Sequence, residues 1–287
     1  EIVASQNSSI SSWRLRPCPL HLCPPPFRLV KIRILEGETR LINLRTRMPF
    51  KYGIATMTDV PYAFLRLHVE VNGQPHNGYA ADNLPPKWFT KVPDQPLGEE
   101  MAEMLRVIEH ARETAIGMEA NSPFELWQDL ADEQAQWGTE NQIAPLLFGF
   151  GTSMVERALI EATCRALGKP FNKALIDNDF GISLGAMQIE NGATQPLDWL
   201  PNTPLPSIIA RHTVGLADPL SPADIPEDEK VADQLPQALT DCITSYGLCH
   251  FKIKVNGQPD TDLERLRALS EIISQNAPAD FAFTLDG

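Results

Sequence analysis

Short apolar runs separated by turn residues begin at Val30, first Val30 to Leu35 and then Tyr62 to Val71, where Phe64 to Val71 largely alternates. A two-residue period sends successive side chains to opposite faces, so both runs read as strands. Asn72-Gly73 supplies a tight turn, and Gln74 to Ala80 can return as an antiparallel partner. The period then lengthens. Leu97, Met101, Met104, Leu105, Ile108 and Ala115 recur at three- and four-residue steps and make one helical stripe. Ser122-Pro123-Phe124-Glu125 has the form of an N-cap, a proline at the first helical position and an early acid, which opens a helix reaching about Gln136. A third helix is expected from about Ser153 to Leu167, with Val155, Leu159, Ala162 and Ala166 inward and Gly168 as its C-cap.

After a connection rich in proline (Pro201, Pro204, Pro206) the rhythm becomes strand, helix, strand, helix, strand. The expected strands are Ile208 to Val214, His250 to Val255 and Phe281 to Asp286. The expected helices are Glu229 to Tyr246 and Asp260 to Gln275. Such alternation implies right-handed crossovers and a parallel sheet. A closed β/α barrel takes about 250 residues, whereas 81 follow Pro206. The expectation is therefore an α+β capping domain over residues 29–205, followed by α/β structure over 206–287 that forms only the first three strands of a TIM-type (β/α) barrel. Residues 1–28, Ser-rich and then Pro-rich with no acid between Glu1 and Glu36, read as a disordered leader. Their Ser/Arg-rich composition loosely resembles an organelle transit peptide, the alternative to the cytoplasmic location otherwise expected.

Charge narrows the partners. The 24 basic and 37 acidic residues give a net charge of -13, which would repel phosphate backbones and anionic lipid, so neither nucleic acid nor a membrane is expected as a partner. Cys18, Cys23, Cys164, Cys242 and Cys249 show neither a disulfide framework nor paired zinc spacing. Gly149-Phe150-Gly151 has part of a dinucleotide signature, but the third glycine is missing and no strand precedes it, so a packing turn is expected.

The sharpest chemical signal is Phe251-Lys252-Ile253-Lys254-Val255. Strand alternation sends Phe251, Ile253 and Val255 to one face and both lysines to the other, which in a barrel is the interior. Two ammonium groups so close disfavour each other's charge, which favours the neutral amine a general base needs. An edge strand with solvated lysines is the plain alternative. The next strand repeats the pattern, with Phe281, Phe283 and Leu285 on one face and Ala282, Thr284 and Asp286 on the other. Asp286 closes its strand at the C-terminal end, where barrel active sites lie, and suits a divalent, oxygen-ligated ion such as magnesium. An N-cap for a following helix is the competing role for a lone Asp-Gly.

These features together resemble a known family. The stretch from Glu156-Arg157-Ala158-Leu159 to Leu167-Gly168-Lys169-Pro170-Phe171, the Lys252-Ile253-Lys254 strand, and Asp286 about thirty residues later are similar to the enolase superfamily, in the branch of muconate lactonizing enzyme and mandelate racemase. The resemblance implies a lyase or isomerase that uses Mg2+ to abstract the proton alpha to a substrate carboxylate through an enediolate, as a cycloisomerase, dehydratase or epimerase. It implies Lys254 as the acid/base, Lys252 as the residue that tunes it and helps hold a small-molecule carboxylate, and Asp286 as the first of three metal carboxylates. It further implies that Met48 to Pro61, with Lys51, Tyr52 and Met57, and Ala80 to Lys91 are loops that fold over the barrel mouth. The full-length parent is expected to be a homo-oligomer, and a chain of this length to bind magnesium weakly without turnover. The rival reading is a non-catalytic binding scaffold, or an inactive fragment of the same fold, with an exposed apolar barrel edge and no metal dependence.

Overall fold

A computed structural model describes residues 29–52, 55–183, 200–201 and 203–287; the expected leader lies outside them. The first unit is a four-stranded antiparallel sheet in the order β3-β2-β1-β4, where β1 is Ile32–Tyr52, β2 Ala55–Val71, β3 Gln74–Asn83 and β4 Glu119–Ala120. Asn72 (φ 50°) and Gly73 (φ 79°) form the expected turn between β2 and β3, and Asn72 Oδ1 accepts the Lys31 N–H at 3.0 Å. One face of the sheet, with Ile32, Ile34, Leu65, Leu67, Val69 and Val71, is buried under three helices. These are α1 (Leu97–Ala115), α2 (Pro123–Glu140) and α3 (Pro145–Leu167).

Alpha-2 starts as its sequence dictates. Ser122 accepts the Glu125 N–H at 3.1 Å, and the Glu125 carboxylate reaches back to the Asn121 N–H at 2.8 Å. Ser122→Ala should therefore cost about 1 kcal/mol, read as a lower urea midpoint with unchanged slope. Alpha-3 ends at Gly168 in the left-handed region (φ 61°), again as expected.

Two expectations for this unit are corrected. Alpha-3 begins at Pro145 rather than Ser153, so Gly149-Phe150-Gly151 lies within a helix and not in a turn. The reason is tertiary: a Cβ on Gly151 would sit 2.1 Å from the Val107 carbonyl oxygen, so the glycine lets α1 and α3 cross closely. The first strand also runs 17 residues past Leu35, through a bulge between Ile34 and Glu36, and pairs with β2 as far as Tyr52↔Ala55.

After a short helix α4 (Phe171–Ile176), the second unit is a parallel sheet in the order β5-β6-β7, formed by β5 (Arg211–Val214), β6 (His250–Lys254) and β7 (Ala282–Asp286). Helices α5 (Leu239–Tyr246) and α6 (Pro259–Asn276) join the strands. Val214, Leu239, Ile243, Phe251, Ile253, Leu269 and Ile273 form a separate buried cluster between sheet and helices. The architecture is thus an α+β cap followed by an α/β segment with three barrel-type strands and, among the described residues, no closed barrel. Here β5 starts at Arg211 instead of Ile208, which is 88% exposed. The expected helix from Glu229 begins only at Leu239, because a 3-10 turn ends at Glu229 and Pro236 withholds an N–H and restricts the residue before it.

Candidate active site

Strand β6 places its side chains as alternation requires. Phe251 and Ile253 are buried against the helices, while Lys252 and Lys254 project from the other face with 29% and 42% of their side chains exposed. Parallel register sets Lys252 beside Thr213 and Thr284, and Lys254 beside Asp286. Arg211 extends this polar face, donating from Nη1 to Thr284 Oγ1 at 3.3 Å.

Both ammonium groups converge on one oxygen. Lys252 Nζ lies 2.9 Å from Asp286 Oδ2, and Lys254 Nζ is in closer ion-pair contact with the same atom. That oxygen is shut off from solvent, and its partners approach as ion pairs away from the ideal hydrogen-bond directions. The Lys254 ammonium first, and Lys252 second, hold the Asp286 carboxyl below the usual carboxylate range. The ion pairs are therefore intact above the ordinary carboxylate pKa and are lost only as pH falls through the lowered one. Phe283 and Leu285, on the opposite face of β7, are 55% and 53% exposed.

The loops leaving the C-terminal ends of these strands are tied down by residues the sequence reading did not single out. Asp262 accepts the N–H groups of Asn256 (3.0 Å) and Gly257 (2.9 Å) beyond β6. Beyond β5, Asp218 accepts the Gly215 N–H at 2.6 Å, and Arg265 from α6 donates to the carbonyls of Gly215 (2.6 Å) and Asp218 (3.1 Å). Burial lowers the Arg265 pKa. An Asp three to six residues from a Gly or Asn-Gly after a strand is the only sequence signal for these turns.

The two loops implied to cover the barrel mouth behave differently. Met48 to Pro61 is mostly strand, forming the far end of the β1–β2 ribbon; the side chains of Lys51 and Tyr52 lie outside the described ones, and Met57 pairs across to Phe50. In the second segment, Ala80 to Asn83 belongs to β3, and Lys87 is fixed to α1. The buried Glu100 carboxylate accepts the Lys87 N–H at 2.6 Å and ion-pairs with its ammonium, which also donates to the Gln95 carbonyl at 2.6 Å. Lys87 itself sits at φ 55°.

No protein-family model and no curated protein sequence matches the chain. Solved structures do. An enolase from an alpha proteobacterium, BAL199, with bound magnesium superposes with a TM-score of 0.55 at 16% identity, over 89% of this chain and 55% of its own. A mandelate racemase/muconate lactonizing protein from Herpetosiphon aurantiacus gives 0.53 at 16% identity over 88% and 52%. A dipeptide epimerase from Enterococcus faecalis, complexed with magnesium and L-Leu-L-Tyr, gives 0.53 at 16% identity over 89% and 53%. The chain shares its fold with these three structures. The chain spans about half the length of these enolase-superfamily structures, and at such identities the likeness is one of fold. Among the described residues, no group of three or more His, Cys, Asp or Glu side chains is placed to hold a metal ion. No described helix is long and apolar enough to cross a membrane.

Proposed function

We propose that the chain, with a capping unit over 29–205 and a barrel unit over 206–287, carries one side of the active site of a magnesium-dependent lyase or isomerase. The reaction is removal of the proton alpha to a small-molecule carboxylate. The observation that supports this most is the convergence of Lys252 and Lys254 on Asp286 Oδ2, at the C-terminal end of a parallel sheet.

The roles follow from position. Lys254 lies at the end of β6, with the more exposed side chain of the two, and takes or returns the proton at Nζ. Lys252, one pleat deeper, adds positive charge that draws in and orients a carboxylate. Asp286 compensates both ammonium groups when no substrate is present. Its hard carboxylate oxygen also fits magnesium, which takes about six oxygen ligands, so Asp286 would supply one of them. Magnesium would offset the negative charge that develops on the substrate carboxylate. Two dipeptide epimerases of this fold are complexed with magnesium and a dipeptide, and an enolase from Bradyrhizobium with magnesium and mandelic acid. Dipeptides and 2-hydroxy acids are accordingly the first substrates to try.

One consequence separates this site from a plain salt bridge. If Asp286 is a metal ligand, the cation competes with the two ammonium groups for Oδ2. Binding of Mn2+, a spin-active stand-in for magnesium, is then expected to vanish in Asp286→Asn. It should tighten by about tenfold in the Lys252→Met/Lys254→Met double variant, where two like charges are removed from beside the ion. Mn2+ titration followed by electron paramagnetic resonance reads both. Equal affinity in all three proteins would leave Asp286 as a counter-ion only, which is what a non-catalytic scaffold of this fold would show.

A further inference from the structure

Residues 229–238 do not form the helix expected of them, and what they form is a receptor for a guanidinium group. Gln237 closes the segment on itself, donating from Nε2 to the Glu229 carbonyl at 3.0 Å and accepting the Val231 N–H on Oε1 at 2.8 Å. Asp233 Oδ1 accepts the Leu235 N–H at 3.1 Å, and Gln234 turns the chain at φ 66°. The Asp233 carboxylate and the carbonyls of Leu235 and Pro236 then converge on one point.

Arg47 of β1 occupies that point. Its Nε donates to Asp233 Oδ2 at 2.5 Å, Nη2 donates to Asp233 Oδ1 and the Leu235 carbonyl, both at 2.7 Å, and Nη1 donates to the Pro236 carbonyl at 3.1 Å. All three guanidinium nitrogens are thus engaged, the fork geometry that an ammonium group cannot reproduce. Gln237 also lies 3.8 Å from the sulfur of the adjacent Met48. The Arg47 guanidinium holds the Asp233 carboxyl down at about 2. By contrast, Arg45 on the same ribbon makes only an exposed pair with Asp59 within it.

The ribbon needs such an anchor. Beta-3 pairs with β2 only as far as Tyr62↔Asn83, and β4 touches β1 only at Ile32 and Arg33. Beyond that point, from Asn43↔Pro61 onward, β1 and β2 run as two strands with Leu44, Met48 and Phe50 exposed, and an isolated two-stranded hairpin is marginal in water. The receptor has a defined place as well. Beta-5 leaves the sheet at Val214, and residues 233–237 come just before Leu239, where α5 turns back toward the start of β6.

We propose that Arg47 is a latch that fastens the β1–β2 ribbon to the β5–α5 connection, at the end of the sheet where Lys252, Lys254 and Asp286 lie. What the ribbon overhangs rests on the active-site reading above, whereas the latch does not. The test is amide hydrogen exchange on the whole chain, with Arg45→Ala as control. In Arg47→Ala, residues 41–50 and 230–237 are expected to exchange together at least about tenfold faster, while 63–71 keep their protection. Arg47→Lys should restore little of it, and Arg45→Ala should change neither segment. If Arg47→Ala also exposes 63–71, Asp233→Asn, which keeps the side-chain shape and removes the charge, decides the matter by the same two segments. Unchanged protection of 41–50 in Arg47→Ala and Asp233→Asn, or equal release by Arg45→Ala, overturns the latch. Metal binding does not enter this readout, so failure of the magnesium reading and failure of the latch are told apart.

Discussion

If Lys254 is the proposed acid/base, Lys254→Ala is expected to slow exchange of the substrate α-proton with solvent by about 10³-fold, the range seen when a positioned acid/base is lost. Lys252→Ala should act differently. Lys252 sits one pleat deeper and opposite Thr213 and Thr284, so in the proposed role its loss would weaken the hold on a substrate carboxylate and raise KM more than it lowers kcat. Deuterium incorporation in heavy water, followed by proton NMR over dipeptides and 2-hydroxy acids, reads the chemical step without requiring net turnover. Lys254→Met is the better comparison for packing, because it keeps the apolar stem and removes only the amine. Wild-type exchange in Lys254→Ala, with loss confined to Lys252→Ala, would reverse the two roles. Wild-type exchange in both would remove the lysines from the chemistry.

How much of this was legible in the sequence depended on whether the signal was local. The β2–β3 turn, the Ser122 cap, the Gly168 C-cap and the alternation of β6 are each written in a few adjacent residues, and the structure has all of them. The same alternation, read from sequence, places Lys252, Lys254 and Asp286 on one face, as the register of β6 and β7 has them. What was not legible depended on partners far along the chain. The ribbon from Glu36 to Tyr52 has no clean alternation, since most of its described side chains are exposed; its strand character comes from pairing with β2 and its anchorage from Asp233, 186 residues after Arg47. Residues 229–238 carry enough helix formers to suggest a helix, yet Pro236 and the demands of the guanidinium receptor override that propensity. Gly149 to Gly151 reads as a turn until α1 is known to lie against it. Asp218, Asp262 and Arg265 looked like ordinary surface charge, because nothing local shows that their acceptors and donors are the backbones of loops bordering the site.

Gly78→Val should be strongly destabilising, and Gly78→Ala should cost about 3 kcal/mol, the upper end for overpacking a core. Beta-3 crosses α3 at this residue. A Cβ there would lie 2.0 Å from the Ala158 carbonyl oxygen, 2.9 Å from its carbon and 2.8 Å from the Ala162 Cβ. A flexible side chain in that place would swing aside at modest cost. A helix carbonyl cannot, because it is tied into the ladder of α3, so the whole helix must move by about an ångström. Alpha-3 is held about two turns earlier on the same face as well, where Gly151 admits the Val107 carbonyl of α1, so the helix is pinned at two close crossings. With a total stability of about 5–15 kcal/mol for a domain, valine at position 78 would leave little of the cap folded. Gly98→Ala is the matched control: nothing lies within 4 Å of its added Cβ, and in α1 the change should be neutral or stabilising by up to about 1 kcal/mol. Chemical denaturation of the three variants and the wild type measures the difference. If Gly78→Ala unfolds within about 0.5 kcal/mol of wild type, α3 is free to slide on the sheet, and the cap is held by its apolar face alone rather than by this crossing.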